Sequence, residues 1–199
     1  MPVPRIVLAS ASPRRRELLE LIGIRFTAAP ADIDESMIGE ETGGALAERL
    51  AREKAAVVAQ RYPDAFIIAA DTVVDLNGSL MAKPGTEAEA FEMLRALSGK
   101  THTVFTGMAC AFNGEIISAI DEVSVTFRNL SDAELHAYIA TGEPMDKAGA
   151  YGIQGYGATI VQRIDGDYFA VMGLSLVRLV NIMKQLGVEY RFQDGAQTV

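Results

Sequence analysis

Apolar residues along the chain fall into two alternating patterns: short continuous or period-two runs, and runs that repeat every three to four positions. Ile6-Val7-Leu8-Ala9 reads as a short strand, with Ser10-Ala11 as the loop that leaves it. Ser12 then sits at an N-cap with Pro13 at the first helical position, and the helix carrying Leu18, Leu19, Leu21 and Ile22 stops at Gly23. A second short strand near 25–29 leads to an acidic loop, Asp32-Ile33-Asp34-Glu35. The spacing of Leu46, Leu50 and Val57 predicts a helix over 44–61 with those residues buried, broken by Pro63-Asp64. Phe66 to Val74 has the pattern of a central strand, with one carboxylate, Asp71, inside it.

The second half continues in the same manner. Asn77-Gly78 and Asn113-Gly114 are hairpin turns, the latter joining strands over 102–112 and 115–127. Thr86 with Glu89, and Ser131 with Glu134, have capping-box spacing; the first helix runs to about Leu97 and the second to Gly142. A further hairpin is expected at Asp165-Gly166, a last helix over 176–186 ending at Gly187, and a polar, frayed tail from Phe192. Hairpins and helices alternate without a strict βαβ repeat. The expected fold is therefore α/β, a mixed twisted sheet with flanking helices.

Composition narrows the function classes. The chain has 199 residues, 49% of them hydrophobic and 22% charged, which suits one folded domain with a core of its own. A formal net charge of −8 argues against nucleic acid as a partner, since a binder of a long polyanion carries a basic face. A local basic pocket remains compatible with that total. The one cysteine, Cys110, lies in a strand pattern and reads as a buried, inert thiol, and two histidines make a His-based zinc site improbable. No apolar stretch has the length of a signal peptide or membrane span, so the expectation is a cytoplasmic protein without a membrane partner.

Arg14, Arg15 and Arg16 occupy the first turn of the first helix, where cations oppose the macrodipole at roughly 0.3–1 kcal/mol each. An anion relieves that conflict: free backbone N–H groups, the dipole and a guanidinium fork all suit a phosphate. The alternative is a basic turn pointing into water. Asp71 in an apolar strand needs a partner or a metal, and Thr72 adds a hydroxyl at the same place. The alternative there is a carboxylate that caps a neighbouring turn.

Lys54 falls on the apolar stripe of its helix, and Lys83 and Lys147 lie in loops. Singly each reads as a surface residue; together with the arginines they suit a triphosphate. Asp34, Glu35 and Asp71 are hard-oxygen ligand candidates for Mg²⁺, which takes one or two carboxylates, waters and phosphate oxygens. Gly152-Ile153-Gln154-Gly155-Tyr156-Gly157 is a Gly-rich turn in which the Gln154 amide could meet a nucleobase edge. Gly99-Lys100-Thr101 is not a P-loop, because its upstream glycine would fall at Leu94 and a strand follows it.

These segments together resemble the Maf family of nucleoside triphosphate pyrophosphatases. The resemblance is carried by Leu8-Ala9-Ser10-Ala11-Ser12-Pro13-Arg14-Arg15-Arg16-Glu17-Leu18-Leu19, by Ala70-Asp71-Thr72-Val73, by Lys83-Pro84 and by the stretch from Gly142 to Gly155, and it spans nearly the whole chain. It implies a single Maf-like domain over 1–199, a Maf/ITPase-like sheet in two lobes around a deep cleft, and a homodimer. It also implies a hydrolase dependent on Mg²⁺ or Mn²⁺ that cuts between the α and β phosphates, and the branch acting on dTTP and UTP. In that pattern Asp71 matches the general base, and Arg14, Thr72 and Gln154 match substrate-specificity positions. Ser10, Arg15, Glu35, Lys54 and Lys83 match pocket positions, with Glu35 and Lys83 on the catalytic side. Asp71 and Glu35 are the implied metal ligands, and whether Asp71 acts as base or as ligand stays open. Ser175 stands where the family usually has proline, a departure expected to alter only the start of the last helix. The alternative function is a non-catalytic nucleotide-binding regulator of septum formation.

Overall fold

The apolar run that begins at Phe66 becomes the spine of a mixed sheet in the computed structural model of the chain, which describes residues 4–192 and the backbone of 195–198. The elements in order are β1 (Ile6–Leu8), α1 (Pro13–Leu21), β2 (Thr27–Ala28), α2 (Gly43–Arg61), β3 (Phe66–Leu76), β4 (Ser79–Met81), α3 (Glu87–Leu97), β5 (Thr101–Phe112), β6 (Glu115–Phe127), α4 (Asp132–Ile139), β7 (Val161–Asp165), α5 (Tyr168–Met172), α6 (Leu176–Gln185), β8 (Val188–Arg191) and β9 (Gly195–Thr198). Three 3₁₀ turns, over Glu143–Asp146, Ala148–Ala150 and Gly155–Thr159, fill the segment between α4 and β7. The main sheet runs β2-β1-β3-β5-β6-β7, with β4 paired to β3 off that path. β1 is parallel to both neighbours, whereas β3–β5, β5–β6 and β6–β7 are antiparallel. The mixed α/β expectation holds.

Period-two alternation distributes β3 between two faces. Ile67, Ala69 and Val73 face α2; Phe66, Ile68, Ala70 and Val74 face the larger core with the other helices. The α2 side is built from small residues, Ala51 and Ala55 against Ala69, Ala109 and Ala111. Gly107 permits this close approach, since any side chain there would run into the Ala47 backbone. Close seating turns α2 so that Ala51, Lys54, Ala55 and Val58 join Leu46 and Leu50 as buried residues. Val57, expected inside, is only half-buried.

Both predicted Asn-Gly hairpins form. Asn77 and Gly78 have φ of 53° and 87°, and Asn113 and Gly114 have 51° and 83°, the positive pair that a type I′ turn requires. Ser131 and Glu134 make a complete capping box. At α3 only half of one forms: Thr86 accepts from the Glu89 N–H, but the Glu89 carboxylate accepts from Gly85 N at 2.7 Å.

Two further expectations fail. No hairpin forms at Asp165-Gly166; the Asp167 side chain instead accepts from Phe169 N and starts α5, a local cap that outcompetes the turn. The predicted frayed tail is paired over the backbone of Gly195–Thr198, which lies antiparallel to β8, while 193, 194 and 199 lie outside the described residues. Cys110 is buried, and burial pushes its thiol far above the usual range, as an inert core thiol requires. Among the described residues no helix is long and apolar enough to cross a membrane.

Candidate active site

Strand lengths open the site. On one edge of β3, β1 pairs with Phe66, Ile67 and Ile68, and β4 pairs with Val74, Asp75 and Leu76. The opposite edge is covered by β5 from Ile67 through Asp75. The segment between, holding Asp71 and Thr72, thus faces a notch where β1 has ended and β4 has not begun. The chain leaving β1 turns away there into Ser10 and α1. A cleft of 1090 Å³ occupies the notch.

Its lining joins residues distant in sequence: Ser10, Arg14, Arg15, Glu35, Lys54, Asp71, Thr72, Lys83 and Gln154 all contribute, whereas Asp34, also a ligand candidate, accepts from Ser36 N and Ser36 Oγ and lies outside the lining. Arg16 is exposed and is not in the lining. Among lining residues, Arg14, Arg15, Lys54, Lys83 and Lys147 are balanced by Glu17, Glu35, Asp71, Glu143 and Asp146. The cleft is therefore close to neutral in a chain of net charge −8, which lowers the barrier to an anionic ligand.

The sheet-built wall is densely bonded. Arg15, only 9% exposed, donates from Nε to the Gly173 carbonyl at 2.7 Å, from Nη1 to Ser10 Oγ at 3.1 Å and from Nη2 to Thr72 Oγ1 at 3.2 Å. Burial, and secondarily the Arg14 charge, pull its guanidinium below the ordinary range, while Asp71 and Glu35 pull the other way. Lys54, 8% exposed, does not extend to water. Its ammonium lies 2.6 Å from Asp71 Oδ1 and 2.6 Å from Glu35 Oε1. Partial burial opposes ionisation of Glu35, but the Lys54 hydrogen bond and charge outweigh it, helped by Lys83 and Arg15, and hold the carboxyl below its ordinary range.

Glu35 reaches the cleft on the acidic loop, which a second cluster secures. Arg49 on α2 donates to both oxygens of Glu41, at 2.7 and 2.9 Å, and to the Ser36 carbonyl at 2.9 Å. Glu41 accepts in turn from Ile38 N, and together these contacts draw its pKa down to about 2.

The facing wall is the segment from Gly142 to Gly157. Glu143 organises it, accepting from Tyr138 Oη at 2.8 Å, Tyr156 N at 2.8 Å and Gly157 N at 2.9 Å. Lys147 donates to the Glu143 carbonyl and to Asp146 Oδ1. Arg14 pairs with Asp146 Oδ2 at 3.1 Å, so it spans from α1 to this loop. Gln154 is exposed, and among the described residues its side chain makes no hydrogen bond within the protein. Tyr151, also in the lining, shares a 2.7 Å hydrogen bond with buried His102, whose pKa burial lowers to about 4.

Ser12 stands at the N-cap position of α1 but its side chain makes no capping bond, and no acidic residue lies in the first turn. The anion-seeking character of that helix start is left intact. Ser175 does not cap α6 either; its hydroxyl donates to Asp167 Oδ2 at 2.6 Å, so the departure from proline touches the start of α5 as well.

Sequence reasoning missed Glu143, Asp146, Thr106 and Gly173. Thr106-Gly107 inside an apolar strand is a polar interruption that could have flagged the first strand partner of Thr72. Glu143 carried no such signal, because its three donors converge only on folding.

Two carboxylates sharing one ammonium, beside a buried guanidinium and a free helix start, give this α/β fold a cleft whose chemistry suits a phosphate-bearing ligand. A family model described as Maf-like protein matches residues 5–186. The chain belongs to the Maf-like protein family. It is 44% identical over 187 residues to the "dTTP/UTP pyrophosphatase" of Halalkalibacterium halodurans, covering 94% of this chain and 98% of that one. A protein of the same name from Bacillus cereus is 44% identical over 185 residues, covering 93% and 91%. Among solved structures, the Staphylococcus aureus Ham1 protein aligns more distantly, at 16% identity and a TM-score of 0.43 over 79% of each chain.

Proposed function

We propose that this chain hydrolyses nucleoside triphosphates, dTTP and UTP foremost, to the monophosphate and pyrophosphate. The observation that carries the reading is the Asp71–Lys54–Glu35 cluster in the sheet notch beside buried Arg15. The names of relatives at 44% identity support the substrates.

In this reading a water attacks the α-phosphorus, a P–O bond forms, and the bond from the α-phosphorus to the bridging oxygen breaks. Pyrophosphate takes the bonding pair. Asp71 accepts the proton of the attacking water. Arg15, Arg14 and Lys83 meet the phosphate oxygens and stabilise the charge that develops on them. Lys54 holds Asp71 in place through their 2.6 Å contact. The Gln154 amide reads the base, and Ser10 fixes the Arg15 fork.

Among the described residues no group of three His, Cys, Asp or Glu side chains stands ready to hold a metal alone. A hard divalent cation still fits the donor set. Asp71 and Glu35 already converge on one cation, and two carboxylates leave room for waters and phosphate oxygens. Such an ion, Mg²⁺ or Mn²⁺, would neutralise charge on the phosphates. We also read the chain as one Maf-like domain acting in the cytoplasm as a homodimer, without nucleic acid or membrane partners, in keeping with its net charge of −8.

The deciding experiment is pyrophosphate release from a panel of nucleotides, with and without Mg²⁺ or Mn²⁺. Release from dTTP and UTP that needs the cation is expected. Binding without release would defeat the hydrolase and favour a nucleotide-sensing regulator.

A further inference from the structure

Thr106 lies on β5 directly across from Thr72 on β3, fully buried and outside the groups assigned above. Its one hydroxyl hydrogen is committed. Oγ1 donates at 2.7 Å to the Ala170 carbonyl, which can only accept. The 3.1 Å contact between the two threonine hydroxyls therefore has one direction, Thr72 donating to Thr106. Arg15 Nη2 donates to Thr72 Oγ1 from another side. The Thr72 hydroxyl thus has its hydrogen turned into the protein and one of two lone pairs filled. What it presents to the cleft is a single lone pair. Such a group cannot donate to a phosphate oxygen; it takes an N–H or O–H.

We propose that Thr106 is a positioning residue that fixes Thr72 as a hydrogen-bond acceptor, so that Thr72 selects a donor on the nucleoside part of the substrate. The inference rests on the nucleotide reading above. A thymidine or uridine nucleotide carries two such donors, the imide N–H of the base and the 3′-hydroxyl of the sugar. Gly173 keeps the approach open: a Cβ there would stand 3.4 Å from Thr72 Oγ1 and 3.3 Å from Arg15 Nε. Site chemistry of this kind discriminates, because an analogue without the donor leaves the second lone pair of a half-buried acceptor unfilled.

The test is steady-state pyrophosphate release by the full chain from dTTP, dCTP and 3′-deoxythymidine triphosphate. dCTP replaces the imide N–H by an acceptor nitrogen, and the third nucleotide lacks the sugar hydroxyl. Wild type is expected to prefer dTTP over at least one of the other two in kcat/KM. Thr106→Val frees the Thr72 hydrogen to turn toward the cleft, and should shrink that preference about tenfold. Thr106→Ser should retain it. Ala170 keeps its bond from Gly173 N at 2.8 Å, so the valine variant is expected to fold; Thr106→Ala is the second variant, removing the acceptor without bulk. Unchanged ratios in a folded variant overturn the proposal. So does an equal loss on all three nucleotides, which would mark a purely structural role. Absence of pyrophosphate release from dTTP and UTP by wild type would be a distinct result, removing the hydrolase reading and this inference with it.

Discussion

The two walls of the cleft are built by opposite means. The wall of β3, α1 and α2 places Arg15, Lys54, Asp71 and Thr72 on regular secondary structure and bonds Arg15 and Lys54 from several directions, with Ser10 and Glu35 added from loops. The wall from Gly142 to Gly157 has no regular element longer than a 3₁₀ turn, and Gly142, Gly149, Ala150 and Gly155 all have positive φ. It hangs largely from one carboxylate, Glu143, while Gln154 stays uncommitted. The two walls meet different demands. Phosphate chemistry demands groups held to fractions of an ångström. Recognition of a base tolerates a loop that adjusts to its occupant.

The comparison predicts where damage falls. Asp71→Asn should leave the fold intact and lower turnover by about 10²–10⁴-fold, the range for loss of a general base; near-normal pyrophosphate release would remove Asp71 from the chemistry. His102 links β5 to Tyr151 across the walls. Its folded pKa of about 4 lies below the ordinary 6.5. The unfolded chain therefore takes up a proton as pH falls below 6.5, which the folded chain refuses until about pH 4. Stability should drop through that window by roughly 3 kcal/mol in all. Thermal melts of wild type and His102→Gln across pH 4 to 7 check this, the variant losing that part of the slope.

Smaller effects are expected on the loop side. Glu143→Ala strands Tyr156 N, Gly157 N and Tyr138 Oη, and should cost about 1–3 kcal/mol of stability while raising KM more than it lowers kcat. An equal fall in kcat on every nucleotide would show that this wall serves the chemistry as well. Arg49→Ala releases the loop that carries Glu35; a stability change within about 1 kcal/mol is expected of a partly exposed pair, with a severalfold loss of kcat/KM. Gln154→Ala should shift the ranking of nucleotides severalfold and leave turnover of the preferred one nearly intact. An unchanged nucleotide profile would take Gln154 out of base reading.

Legibility followed the range of the interactions. Both Asn-Gly turns, the α2 limits and the Ser131 cap are set by contacts a few residues apart, and all are readable as patterns. The hairpin expected at Asp165-Gly166 failed because Asp167, one residue further, offers a better local bond to Phe169 N. Val57 failed because the rotation of α2 depends on Gly107 and three alanines from other strands. In the site, the arginine run, the lone strand carboxylate and the lysine on an apolar stripe stood out because each breaks a local rule. Glu143 and Asp146 break none and stayed silent.

The chain alone therefore settled which groups were out of place: cations at a helix start, a carboxylate in a strand, a lysine on a buried face. Each is a local conflict, visible in a window of a few residues. Which partner resolves each conflict was decided only by tertiary structure. Lys54 and Asp71 are 17 residues apart, Arg15 and Gly173 158 apart, and Arg14 and Asp146 132 apart. The unequal lengths of β1, β3 and β4 open the notch where these pairs meet, and that inequality has no expression in any single segment of the chain.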